Sequence, residues 1–178
     1  MKRSLSVALA LLFCVSTSFA QWLPGLINPY ADEAGTACNI VDDGGLVQVH
    51  MLHVATYGVT ASQFKLDVSA TNWIWLGDSW SFVLSLGTSV DGVALTYQEC
   101  LAESIHLGVA NFVGSCAPPC TEISIVPAPG EVKVRASGCR SETFYPAGGI
   151  VYINPDLTCQ CSVPVHETTW GQIKSLYR

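Results

Sequence analysis

The feature that most constrains this chain is a period-two alternation that keeps recurring between turn signals. In residues 64–69, Phe64, Leu66 and Val68 alternate with Lys65, Asp67 and Ser69, which puts one side of an extended segment on a core and the other in water. Strand-like runs are read at 46–54, 64–68, 72–76, 80–86, 93–100, 105–112, 121–126, 132–136 and 150–153. Between them fall Asp43-Gly44-Gly45, Gly77-Asp78, Asp91-Gly92, Pro129-Gly130 and Gly148-Gly149, residues that favour turns. About nine short strands, with helical spacing confined to the last dozen residues, predict an all-β fold. The expected form is a two-sheet antiparallel β-sandwich.

The N-terminus reads differently. Lys2-Arg3, an apolar run from Leu5 to Val15, and Ser18-Phe19-Ala20 have the layout of a secretory signal, with cleavage expected after Ala20. About eleven apolar residues are too few to span the ~30 Å of a bilayer core. The expected organisation is therefore a signal peptide at 1–20, a sandwich domain at 21–162 and a tail at 163–178. Residues 21–36, rich in turn formers, read as a lead-in docked on the sandwich edge. In the tail, Trp170, Ile173 and Tyr177 recur at helical spacing, with Lys174 and Arg178 near the carboxyl end, which predicts a short helix.

Charge and cysteine usage narrow the functional classes. The chain carries 8 Lys+Arg against 14 Asp+Glu, and loss of Lys2 and Arg3 with the leader leaves it more acidic still. Such a surface repels nucleic acid and anionic lipid. After export to the periplasm, cell surface or medium, the cysteines are expected to form disulfides. Removing Cys14 leaves Cys38, Cys100, Cys116, Cys120, Cys139, Cys159 and Cys161, an odd number. If residues 121–135 form a hairpin centred between Pro129 and Gly130, Ile125 faces Val134, Ser124 faces Arg135 and Cys120 faces Cys139, a geometry a disulfide can close. Cys38 with Cys100 is the next pairing by position; Cys116, Cys159 and Cys161 are left open. A zinc reading of the closely spaced cysteines fails on spacing, so neither a metal nor another cofactor is expected.

Residues 73–80, Trp-Ile-Trp-Leu-Gly-Asp-Ser-Trp, read as a hairpin turning at Gly77-Asp78. That register sets Trp75 opposite Trp80 and Trp73 opposite Phe82. Two readings follow: Trp73, Trp75 and Trp80 form a flat platform for a sugar chain, or their rings fill the space between the sheets. His50 and His53, three apart on a strand, point to opposite faces and cannot grip one ion together, and neither His106 nor His166 adds a useful spacing. The acidic pairs Asp32-Glu33 and Asp42-Asp43 lack a calcium-loop spacing and read as a solvated rim. There is no Gly-x-Ser-x-Gly elbow, phosphate loop or dinucleotide fingerprint. A non-catalytic module is expected, whose partner is a protein or glycan at the cell surface, with a hydrolase of dispersed site as the alternative.

Two resemblances accompany these readings. Gly45-Leu-Val-Gln-Val-His50, Ala61-Ser-Gln-Phe-Lys-Leu-Asp-Val68 and His106-Leu-Gly-Val-Ala-Asn-Phe112 resemble strands of cohesin-like domains. The resemblance implies a sandwich that binds a dockerin module through one sheet face, although the cysteine content departs from that family's pattern. The segments at 30–38 and 147–154, with the tail Thr168-Thr-Trp-Gly-Gln-Ile-Lys174, also resemble a group of uncharacterised exported bacterial β-sandwich proteins, and that likeness implies no activity.

Overall fold

The computed structural model describes residues 25–159. The predicted leader, the tail with its helix, Cys161 and His166 lie outside the described residues. Within them the chain is all-β: β1 (Leu26–Tyr30), β2 (Asn39–Ile40), β3 (Leu46–Asp67), β4 (Ile74–Trp80), β5 (Leu84–Thr88), β6 (Gly92–Val113), β7 (Thr121–Val126), β8 (Arg135–Gly138), β9 (Thr143–Phe144), β10 (Ala147–Gly148) and β11 (Ile150–Ile153).

Two strands of 22 residues each, β3 and β6, form the spine and pair antiparallel with each other. The sequence reading divides each of them in two. Their halves stay continuous because the interruptions are absorbed as bulges: the pairing slips between Met51 and Leu52 and again between His53 and Ala61, and Ala55 and Gly58 take positive φ. On one side of β3 lie β1 and then, further along, β8; on the outer side of β6 lie β4 and β5. The last residues of β3, Lys65–Asp67, leave this sheet and pair with β7, which joins β11 and β2 in the second sheet. A single strand thus belongs to both layers.

Side chains from both sheets meet in one core. Val47, Val49, Met51, Phe64, Leu66, Leu95, Leu107 and Phe112 of the spine pack with Ile123, Ile125, Val151 and Ile153 of the second sheet. The alternation in the sequence is what delivers them, since 47, 49 and 51 share one face of β3 and 64 and 66 one face of its far end. The lead-in contributes more than a docked edge: β1 sits between β3 and β10, and Ile27 and Tyr30 are buried.

Three expectations are corrected. The first is the tryptophan hairpin. Residues 74–80 form one strand along β6, and Gly77, at φ +150°, sits at a bulge opposite Asn111 rather than in a turn. The Asp78 carboxylate explains the choice, because it accepts from the Ser89 N–H and hydroxyl at 2.7 and 2.6 Å and ties the strand to the loop after β5.

The second is the 121–135 hairpin. β7 pairs with β3 and β11 in one sheet, and β8 pairs with β3 and β9 in the other. Residues 127–134 carry the chain from layer to layer, so Ile125 faces Leu66 instead of Val134. Cys120 and Cys139 therefore end on different sheets.

The third is the disulfide pairing. Cys120 is bonded to Cys159 and Cys100 to Cys139, with Cα atoms 5.7 and 5.4 Å apart. Cys38 is also disulfide-bonded, but not to Cys100. Cys116 is a free, exposed thiol.

Candidate functional site

The outer face of the spine sheet carries the residues that the core does not use. Alternation places Leu46, Gln48 and His50 of β3 on that face, with Leu52 next in the row but itself buried, and the register sets Val113, Asn111, Val109 and His106 of β6 opposite the four. At one end, Leu46 and Ile74 flank Val113 on either side, a row three strands wide. Leu46 and Ile74 are 66 % and 64 % exposed. Next comes an amide pair, with Gln48 Nε2 donating to Asn111 Oδ1 at 3.0 Å. Leu76, Val83, Leu84 and Leu86 add further exposed apolar groups on and beside β4 and β5. Clustered exposed side chains of this kind mark contact surfaces more often than do isolated ones.

At the other end of the face stands a polar cluster that the histidine spacing does not reveal. The bulge at Leu107 shifts the register by one, so His106 faces Leu52 and shares the outer face with His50. Without that extra residue His106 would face His53 and point into the core. His50 Nδ1 and His106 Nε2 lie 3.2 Å apart. The other ring nitrogen of His106 is 3.1 Å from Ser81 Oγ and 3.9 Å from Glu33 Oε1. Burial pushes the pKa of His106 down; Glu33 pulls it up, His50 pushes it further down, and the net direction is down. His53 takes no part: it is fully buried, with Nδ1 3.1 Å from Ser62 Oγ, and Ser62 is in turn bonded to the Tyr97 hydroxyl.

A Ser81–His106–His50 chain has the residue types of a hydrolase relay. Ser81, however, gives its backbone N–H to Leu107 O at 3.0 Å, extending β4 along β6, so that group is not free to stabilise an oxyanion at its own hydroxyl. Among the described residues a cleft of about 600 Å³ lies elsewhere, lined by Tyr57, Gly58, Arg140, Glu142 and Phe144 around the Cys100–Cys139 disulfide.

The three tryptophans are distributed between core and surface. Trp73 stacks at 5.2 Å on buried Phe112, and Trp80 meets buried Phe64 edge-on at 6.4 Å. Trp75 is the exposed one, at 37 %, and its Nε1 donates to Asp78. Because all three belong to one strand and its lead-in, Trp75 is not opposite Trp80.

Asp42 corrects the solvated-rim reading. It is buried, and its carboxylate accepts from the N–H groups of Gly44, Ser115, Cys116 and Ala117 and from Trp73 Nε1, at 2.7–3.2 Å. Burial alone would raise its pKa; the bonds from Ala117, Trp73, Gly44 and Ser115 outweigh it and hold the carboxyl far below the ordinary carboxylate range. Asn154 completes the knot, accepting from the Asp42 N–H and donating to the Asp42 and Ala117 carbonyls. The zinc reading of the cysteines is closed at Cys120 and Cys159 by their disulfide.

Compared with known proteins, the chain matches no family model, and no curated protein matches its sequence. Solved structures do share the fold. A cohesin module from a Clostridium perfringens family 33 glycoside hydrolase aligns with a TM-score of 0.51 at 8 % identity, covering 75 % of this chain and 99 % of the module. The sixth cohesin of Acetivibrio cellulolyticus scaffoldin B, solved with a mutant Cel5 dockerin, aligns with a TM-score of 0.50 at 12 % identity, covering 74 % of this chain and 99 % of that one.

Proposed function

We propose that this chain is a secreted, non-catalytic interaction module that binds a compact protein partner on the outer face of its spine sheet. The observation that carries the reading is the exposed Leu46–Val113–Ile74 row, built on a fold shared with cohesins. One of those cohesins was solved on a dockerin; by analogy the partner here is a small folded module, not a flexible polymer. Residues 1–20 direct export and are removed, and the disulfides suit an oxidising compartment.

The test is affinity capture from the culture medium and surface extract of the producing cells, with the purified protein and with a Leu46→Asp/Ile74→Asp variant, beside a glycan array. The expected result is one protein retained by the wild type and lost by the variant. Equal capture by both, or glycan binding that Trp75→Ala abolishes, would overturn the reading.

A further inference from the structure

The polar end of the outer face is organised in a way that protein docking does not require. His106 has a differentiated pair of nitrogens: Nδ1 is turned toward Ser81 Oγ and the Glu33 carboxylate, and Nε2 toward His50. With its proton on Nδ1, where an acceptor hydroxyl and an anion lie, His106 accepts the hydrogen bond from His50 Nδ1–H on its Nε2 lone pair; moving the His50 proton to its other nitrogen leaves two lone pairs facing one point. This is the layout in which a partner on the far nitrogen fixes a metal-binding imidazole.

The separation fits as well. Two nitrogens at about 2.0–2.1 Å from one ion are about 2.9 Å apart at a right angle and about 3.3 Å apart at the tetrahedral angle. The observed 3.2 Å lies between them. Both side chains are partly exposed, so an ion can reach them, and they stand on the two longest strands, whose pairing fixes the backbone.

We propose that His50 Nδ1 and His106 Nε2 together bind one late first-row divalent cation, of the zinc, copper or nickel class, with Ser81 and Glu33 orienting His106 from behind. Imidazole nitrogen selects that class over calcium and magnesium, which take oxygen. Binding needs only that the His50 proton occupy Nε2 rather than Nδ1, so a neutral pair takes up the ion with no net loss of protons. The remaining coordination positions are left to water, which the partial exposure of both side chains admits.

Calorimetric titration of the purified chain with zinc chloride and nickel chloride tests this, with Cys116 alkylated beforehand so that its thiol cannot contribute. The same titration is run on His50→Ala, His106→Ala and, as a control outside the described residues, His166→Ala. One equivalent is expected for the wild type and for His166→Ala, and at least a tenfold loss of affinity for His50→Ala or His106→Ala. Imidazole nitrogen NMR of the wild type provides a readout that does not depend on any variant folding: His50 and His106 should shift together on addition of zinc while His53 stays. Absence of stoichiometric binding, unchanged binding in the two variants, or shifts at other histidines instead would overturn the proposal.

Discussion

The indole Nε1 of Trp73 donates a 2.7 Å hydrogen bond to the Asp42 carboxylate, joining the residue before β4 to the loop between β2 and β3. That bond shows what Trp73 does: its ring is stacked on Phe112 and its polar edge is spent on a buried anion. Both ends of the side chain are thus committed to the fold.

Replacing Asp42 by alanine should cost more than about 3 kcal/mol, because several donors lose their acceptor at once in a buried site. Urea denaturation of Asp42→Ala against wild type measures it. Trp73→Phe keeps the stacking and removes one donor, and should cost only about 1 kcal/mol.

Asp42 also sets an acid limit. Its folded pKa is depressed, so its contribution to stability is fully present above the ordinary carboxylate value near 4 and is lost as pH falls below it. The midpoint of urea unfolding should therefore fall between about pH 4 and pH 2. In Asp42→Asn the fall should be shallower by about one proton's worth of slope, and an unchanged slope would remove Asp42 from the account.

Peptide mapping without reduction should recover Cys100 joined to Cys139 and Cys120 joined to Cys159, with Cys116 open to alkylation. Each bond closes a loop with a sequence separation of 39. On the chain-entropy account each is worth about 4 kcal/mol, so Cys100→Ser/Cys139→Ser should lower the unfolding free energy by roughly that amount.

The tryptophans should separate by quenching. Trp75→Phe should remove the largest acrylamide-accessible share of the emission among Trp73, Trp75 and Trp80, with little change in stability. Trp80→Ala should destabilise by about 3 kcal/mol through its lost contact with the core.

The exposed row predicts the opposite behaviour to the core. Leu46→Asp and Ile74→Asp should each leave stability within about 0.5 kcal/mol, since they vacate no buried space, and should raise solubility. A large loss of stability would show that the row is covered in the folded protein.

Much of this was legible because alternation is a local property. Phe64 and Leu66 declare their face within five residues, and strands β7 and β11 fall where their apolar runs predict. The errors share a cause. Gly77-Asp78 reads as a turn or as a bulge according to whether Ser89 is present to take the aspartate, and Ser89 is eleven residues away. Pro127-Ala-Pro-Gly130 reads as a hairpin loop unless one knows that β3 already offers a place to β7 in one layer and to β8 in the other.

Local pattern was enough for the class of fold, the net acidic charge and the core face of strand segments such as 64–68, because a two-residue period and apolar transfer from water act on each segment alone. Which cysteines meet, that Asp42 is an anchor rather than a rim, and that His106 stands beside His50 emerge once the strands are assembled. Each of those depends on register between strands far apart in the chain, and one extra residue at Leu107 is enough to move a histidine from the core to the surface.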